Sequence, residues 1–388
     1  MVGGHLPRLV LIAFALALSG CAGGQATRDL ISASVVAVPA NQISGRHEIF
    51  VATTRHKSER REEVFDGRRS PQVSYAKVDI TVPAIHKTGE IERRKKSQPA
   101  DPSKFMVAES VTAYDESEFA KALRTDIARN GGRALVFIHG YNTAFDGAVY
   151  RMTQIVHDAG YEGTPVLFTW ASGGRTVDYV YDSNSASAAR DALEQTLRLV
   201  AKAGAKRIDI IAHSMGNWAT MEALRQLAIS GDRDLDNKLG DVVLASPDID
   251  VDVFKSQMAR YGVPDKPFIL FLSSDDRALR ISGLIAGSQP RVGDYGDAAD
   301  LASLGVIAVD LSQINSGDSL NHTKFADNPV LIKMLGERLK HNSRLVTNQE
   351  EADQRVASLT HGITGTLTSA AEVIITTPIN VVRIAVGQ

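Results

Sequence analysis

Between residues 133 and 312 the chain alternates short apolar runs with amphipathic stretches. The runs are Ala134–Gly140 (ALVFIHG), Pro165–Trp170 (PVLFTW), Arg207–Ser214 (RIDIIAHS), Asp241–Pro247 (DVVLASP), Pro267–Ser274 (PFILFLSS) and Gly305–Ser312 (GVIAVDLS). They are near-continuously apolar, as strands covered on both faces are. Helical periodicity follows several of them, near Asp146–Ala159, near Ser185–Ala203 and directly after Ser214. This alternation predicts a mostly parallel, doubly wound α/β sheet. Upstream, His47–Arg55 (HEIFVATTR) and Ser74–Pro83 (SYAKVDITVP) read as two strands, expected antiparallel at the sheet edge, with a highly charged loop over Lys57–Ser70 between them. The charge run Glu92–Ser97 (ERRKKS) reads as a solvated loop, the alternative being contact with anionic lipid headgroups. Gly362–Gln388 is poor in charge and rich in Val, Ile and Thr. It is expected to pack on the body as a helix or an extended segment, and Pro378 argues against a membrane span.

Composition adds little for the body. Hydrophobic residues make up 44% and charged residues 23% of 388, with a formal net charge of -2, ordinary for a globular chain and no invitation to nucleic acid. The first residues change the picture. A weakly basic start, an unbroken apolar run Leu9–Leu18 and the small-residue stretch LSGCAGG have the layout of a secretory signal peptide. The run is about half the length of a membrane-spanning helix. Cys21 is the single cysteine. Leu18-Ser19-Gly20-Cys21 resembles the bacterial lipobox, which implies a lipid-modified Cys21 as the mature first residue. With Ala22 next, the expected site is the outer membrane of a Gram-negative cell, facing the periplasm. The chain therefore divides into a signal peptide (1–20), a lipid-anchored tether (21–45), an α/β domain (46–345) and a tail (346–388).

In a parallel sheet, ligands bind at the carboxyl ends of the strands, and four features fall there. The first is Ala212-His213-Ser214-Met215-Gly216, between a strand and a helix. It departs from the G-x-S-x-G nucleophile elbow at Ala212, but the turn requires smallness there, which Ala keeps. The competing reading makes Ser214 only a helix N-cap. The second is His139-Gly140-Tyr141-Asn142, whose loop position nominates the Tyr141 N–H, with that of Met215, as oxyanion donors. The third is the base. Of the histidines after Ser214 (His322, His341, His361), only His322 follows the last strand in a polar loop, where this arrangement requires it. The fourth is the acid that orients the base. Asp276 is favoured because Asp276-Arg277-Ala278-Leu279 resembles the D-x-x-apolar turn common after this strand in enzymes with such an elbow, with Asp275 as a capping residue or alternative acid, and Asp248 and Asp250 as further acids or pocket groups. Trp170, Tyr179 and Tyr181, with His139 and Asn142, are pocket candidates; packing and capping compete for the three aromatics. No metal-ligand spacing and no phosphate-binding loop occurs, so no metal or other cofactor is implied.

Taken together, VFIHGYNTAFDGAVYR, LFTWASGGRTVDYVYDSNSA, IDIIAHSMGNW, SPDIDVDVF and SSDDRALRIS resemble a bacterial α/β-hydrolase family of unknown function, whose members are often labelled esterase- or lipase-like. The N-terminal IFVATTR and VDITVPAIHKTGEI resemble it too, so the likeness spans about His47–Leu339. It implies an α/β-hydrolase fold and a triad of Ser214, an aspartate of SSDD and His322. The expected activity is carboxylic ester hydrolysis on a small-molecule ester. Acyl transfer to another acceptor, or a non-catalytic lipoprotein that binds an envelope partner, are the alternatives. The short segment after Pro247 leaves little room for a large lid, which favours soluble or small esters.

Overall fold

The computed structural model describes residues 28–95, 98–315, 317–340 and 370–387. The predicted signal peptide and Cys21 lie outside the described residues, as do His341 and His361. Eleven strands form one sheet: β1 (Ile43–Lys57), β2 (Phe65–Pro83), β3 (Val107–Tyr114), β4 (Arg133–Ile138), β5 (Thr164–Thr169), β6 (Arg207–His213), β7 (Leu239–Ala245), β8 (Ile269–Leu272), β9 (Ile307–Asp310), β10 (Ala370–Thr376) and β11 (Val381–Gly387). Their order is β11-β10-β9-β8-β7-β6-β4-β5-β1-β2-β3. From β1 to β9 neighbours run parallel, as expected; β2 and β3 at one edge and β10 and β11 at the other run antiparallel.

The apolar runs are strands because each alternate residue feeds a different core. Val136, Ile138, Ile210, Ala212, Val242 and Leu244 face one core, which is completed by α1 (Glu116–Arg129), α4 (Arg190–Lys202), α5 (Gly216–Ile229) and α6 (Val251–Tyr261). Leu135, Phe137, Ile211, Val243 and Ala245 face the other, closed by α2 (Phe145–Asp158) and the helix Pro329–Lys340.

Four expectations are revised. The helix expected near Ser185–Ala203 is two, α3 (Tyr179–Ala188) and α4, because the Ala189 N–H is shared between Ser185 O at 3.1 Å and Ala186 O at 3.2 Å in a tightened turn. The charged loop is shorter than 57–70: β2 begins at Phe65, and Arg69 pairs with Arg55 across the ribbon. Within the charge run, Arg93 turns inward to an ion pair with buried Asp146, with its guanidinium 5.0 Å from the centre of the Tyr150 ring. From Arg28 onward the tether lies on the body, with Leu30 buried and Ile31 bridged to Ala108, while the tail takes the extended alternative and adds the β10–β11 hairpin to the sheet. α1 was not anticipated, though its signal was present. Asp115 and Glu118 cap it reciprocally, the D-x-x-E pattern of a helix start. No helix among the described residues is long and apolar enough to cross a membrane.

Candidate active site

Ser214 stands between β6 and α5 with φ 53°. A non-glycine residue in this left-handed region is uncommon and strained. The turn is held from all sides. The Ser214 N–H donates to Ala245 O at 3.0 Å, and Asn217 Nδ2 donates to Ser214 O and to Ala245 O, each at 2.9 Å. Close approach explains the small neighbours. A Cβ on Gly216 would stand 2.4 Å from His139 O, and one on Gly140 would stand 2.8 Å from Ser214 Cβ. Ala212 sits buried in β6 between Ile138 and Leu244, so its methyl is accommodated. Ser214 does not cap the helix: Met215 takes the N-cap position, and its side chain makes no capping bond. Among the described residues no hydrogen bond restrains the Ser214 hydroxyl, and the Met215 N–H has no main-chain acceptor.

His322 lies in the loop after β9. Its Nδ1 donates to Asp276 Oδ2 at 2.7 Å. Burial works against its charged form, but the Asp276 carboxylate, then Asp248 and Asp318, outweigh this and raise its pKa above the ordinary 6.5. The loop is pinned from below. His322 O accepts from His213 Nε2 at 3.1 Å, and the two rings lie 4.7 Å apart. His213 is largely buried; burial, then the neighbouring His322, holds it neutral.

The aspartates separate into distinct roles. Asp276 does two things: Oδ2 meets His322, while Oδ1 accepts from the Leu279 N–H at 3.0 Å and caps α7 (Arg277–Ile285). Asp275 neither caps that helix nor reaches His322. It binds Lys324 Nζ at 2.7 Å and Asn321 Nδ2 at 2.8 Å. Asp250 caps α6 through the Asp252 and Val253 N–H groups, which removes it as an acid. Asp248 is buried and accepts from Tyr179 OH at 3.0 Å and Ser282 Oγ at 2.7 Å, with Arg291 Nε 3.3 Å away.

Ser214, His322, Tyr141, Asn142, Tyr179 and Asp248 line one cavity of about 160 Å³, walled otherwise by Leu279, Ile281, Ile285 and Leu320 among others. A larger hollow of about 1130 Å³, between the β1–β2 ribbon and the α3–α4 corner, shares no residue with it and holds neither Ser214 nor His322. Of the pocket candidates, Tyr179 and Asn142 line the Ser214 cavity and three do not. Trp170 is wholly buried and donates from Nε1 to His139 O at 2.9 Å. His139 stacks on Trp170 and spans Gly140 O and Thr169 Oγ1, each at 2.8 Å; burial, then Arg55, holds it neutral at about 3. Tyr181 turns away, donating to Gly67 O at 2.9 Å.

Arg55 and Asp182 hold the loop after β4 from beneath. Arg55, fully buried, donates to Thr143 O at 2.6 Å and Ser172 O at 2.9 Å. Asp182 accepts from the Asn142 N–H at 3.1 Å, Gly173 N–H at 2.8 Å and Ser172 Oγ at 2.5 Å. Arg55 sits in the ATTR of the first strand, and a charge inside a buried strand was the available signal. Among the described residues no three His, Cys, Asp or Glu side chains are grouped as metal ligands.

Residues 115–338 match the model of an alpha/beta hydrolase family of unknown function (DUF900), more than half of the chain. The chain belongs to this family. No curated protein matches the sequence of this alpha/beta hydrolase. Among solved structures, it resembles Aspergillus fumigatus lipase B at 14% identity and a TM-score of 0.35. The alignment covers 57% of each chain, so this hydrolase spans little more than half of the lipase. It also resembles a structure from work on two fungal esterases of Rhizomucor miehei, at 11% identity and a TM-score of 0.34, covering 83% of this chain and 85% of the other. Neither likeness bears on what this alpha/beta hydrolase acts on.

Proposed function

We propose that this alpha/beta hydrolase is a serine carboxylic ester hydrolase, anchored through Cys21 in the bacterial envelope. The observation that carries the activity is Ser214 held in a left-handed elbow on the same cavity as the His322–Asp276 pair. With Nδ1–H committed to Asp276, the neutral imidazole presents Nε2 as the acceptor. Ser214 Oγ attacks the ester carbonyl carbon as Nε2 takes its proton. Charge gathers on the carbonyl oxygen, where the N–H groups of Tyr141 and Met215 receive it. The imidazolium then protonates the departing alkoxide, and the alcohol leaves. Water, deprotonated by the same nitrogen, releases the carboxylate and restores Ser214.

The cavity favours a small reacting end. Its volume of about 160 Å³ is below the roughly 300–1,000 Å³ of drug-sized ligand sites. A fluorophosphonate probe should label the native chain and leave Ser214→Ala unlabelled; equal labelling of both, or of neither, refutes the reading. An ester panel graded by acyl length, with Ser214→Ala as the blank, should show a maximum at short acyl groups. For the anchor, Cys21→Ser should shift the chain from membranes to the soluble fraction, and unchanged fractionation refutes lipid attachment at that residue.

A further inference from the structure

Large apolar side chains that remain exposed in a folded chain mark contact surfaces when they gather in one place. Here four gather around the Ser214 cavity. Val177 and Val180, 77% and 65% exposed, stand beside the wall residues Thr176 and Tyr179; Leu284 and Ile285, 64% and 40% exposed, end α7 on the facing wall. The two walls meet at Asp248, which accepts from Tyr179 on one side and Ser282 on the other. Leu284–Pro290 continues the rim with seven exposed residues and no charge (LIAGSQP). On α7, Arg277 and Arg280 are exposed and donate to the carbonyls of Ser319 and Ser274; neither forms an ion pair with a described residue.

A second observation says what this rim meets. Arg28, the first described residue, donates to Gly174 O, two residues before Thr176 in the cavity wall. The seven peptide links from Cys21 to Arg28 span at most about 25 Å when extended. A membrane anchor at Cys21 therefore holds the bilayer within that reach of Arg28, which is bonded beside the cavity wall.

We propose that the rim formed by Val177, Val180, Leu284 and Ile285 docks on the lipid bilayer that anchors the chain, so that the Ser214 cavity opens onto the membrane surface. The apolar side chains enter the headgroup–acyl boundary, and Arg277 and Arg280 meet anionic headgroups. The proposal rests on the anchored-hydrolase reading for its meaning, but its test does not depend on catalysis.

Reporter cysteines are placed in the full-length lipid-anchored chain, whose lipidated Cys21 offers no free thiol, as Val177→Cys, Val180→Cys or Leu284→Cys, and, at the opposite end of the sheet, as Val263→Cys or Ile379→Cys. Each carries an environment-sensitive fluorophore. The chains are bound to phosphatidylethanolamine–phosphatidylglycerol vesicles doped with brominated phosphatidylcholine. Rim reporters should be quenched at least about threefold more than the two controls, as insertion to ~5–10 Å requires. Equal quenching at rim and controls, or no vesicle binding by any chain, overturns the proposal. In parallel, Val177→Glu with Leu284→Glu should abolish the rim-specific quenching at position 180 and keep hydrolysis of a water-soluble short ester within about twofold. If no chain hydrolyses that ester, the hydrolase reading fails, while the quenching pattern still decides the docking face.

Discussion

Replacing Asp276 by Asn tests the assignment of the acid most sharply, because its two oxygens have separable tasks. Oδ1 caps α7 through the Leu279 N–H at 3.0 Å, and Oδ2 accepts from His322 Nδ1 at 2.7 Å. Asn is as good an N-cap as Asp, so the helix start should survive with a loss under about 1 kcal/mol. The amide, however, turns an N–H₂ group toward Nδ1 or leaves that nitrogen with a neutral acceptor. The imidazole loses the partner that fixes its tautomer and stabilises its charge. By analogy with serine-hydrolase triads the rate should fall about 10⁴-fold, which is ~5.5 kcal/mol of barrier. Asp276→Ala should lose the same activity and, in addition, about 1–2 kcal/mol of stability, because its cap is gone. Asp275→Asn should keep activity within about tenfold, since Asp275 meets Lys324 and Asn321 rather than the base. Initial rates on a short ester and urea unfolding, both at pH 8, supply the comparison. Asp276→Asn with a tenth or more of native activity, or Asp275→Asn with the larger loss, would refute the assignment.

Three further outcomes follow from the geometry. The pH–rate profile of kcat/KM should show an acid limb above 6.5, because raised His322 must be neutral to accept the proton; a limb below 6.5 contradicts the Asp276 contact. Gly216→Ala would place a Cβ 2.4 Å from the main-chain His139 O, so it should destabilise the fold by at least about 2 kcal/mol and lower activity together; an unchanged melting curve contradicts the close packing of β4 on α5. His86 lies between Asp158 at 2.7 Å and Glu92 at 2.8 Å. Burial opposes its charge, but these carboxylates raise its pKa to about 9. A raised histidine stabilises fully below its unfolded pKa near 6.5, and that stability is lost as pH rises to about 9. Native unfolding free energy should fall across this window, and His86→Gln should remove most of that slope.

Much of this molecule is legible in its sequence because apolar runs and small-residue turns are local. The parallel core and the elbow at Ser214 follow from strand periodicity and from the steric demand for Ala212 and Gly216. Position in chain order singled out His322. What escaped depends on contacts between distant segments. Asp275 and Asp276 have the same composition and nearly the same position, and only the backbone turn decides which carboxylate faces the imidazole. Arg55 and Asp182 are 127 positions apart, so no spacing rule joins them beneath the Tyr141 loop. His213 was visible beside Ser214 in the strand-to-helix turn, yet its task of holding the His322 carbonyl requires the fold. Trp170 and Tyr181 fit an aromatic pocket by position, but one side chain is spent on the core and the other on β2.

Because one aspartate both starts α7 and aims the imidazole, the segment that carries the rim is fixed at one end and open at the other. Beyond Leu279 the helix can change its apolar side chains and its exit through Gly287 without touching the Asp276–His322 contact, so long as Ser282 keeps its bond to Asp248. At Asp276 it cannot. Variation among related chains, and any attempt to graft a new substrate preference, should therefore begin after the first turn of this helix, with the cap carried over unchanged as the joint between the interchangeable wall and the chemical machinery.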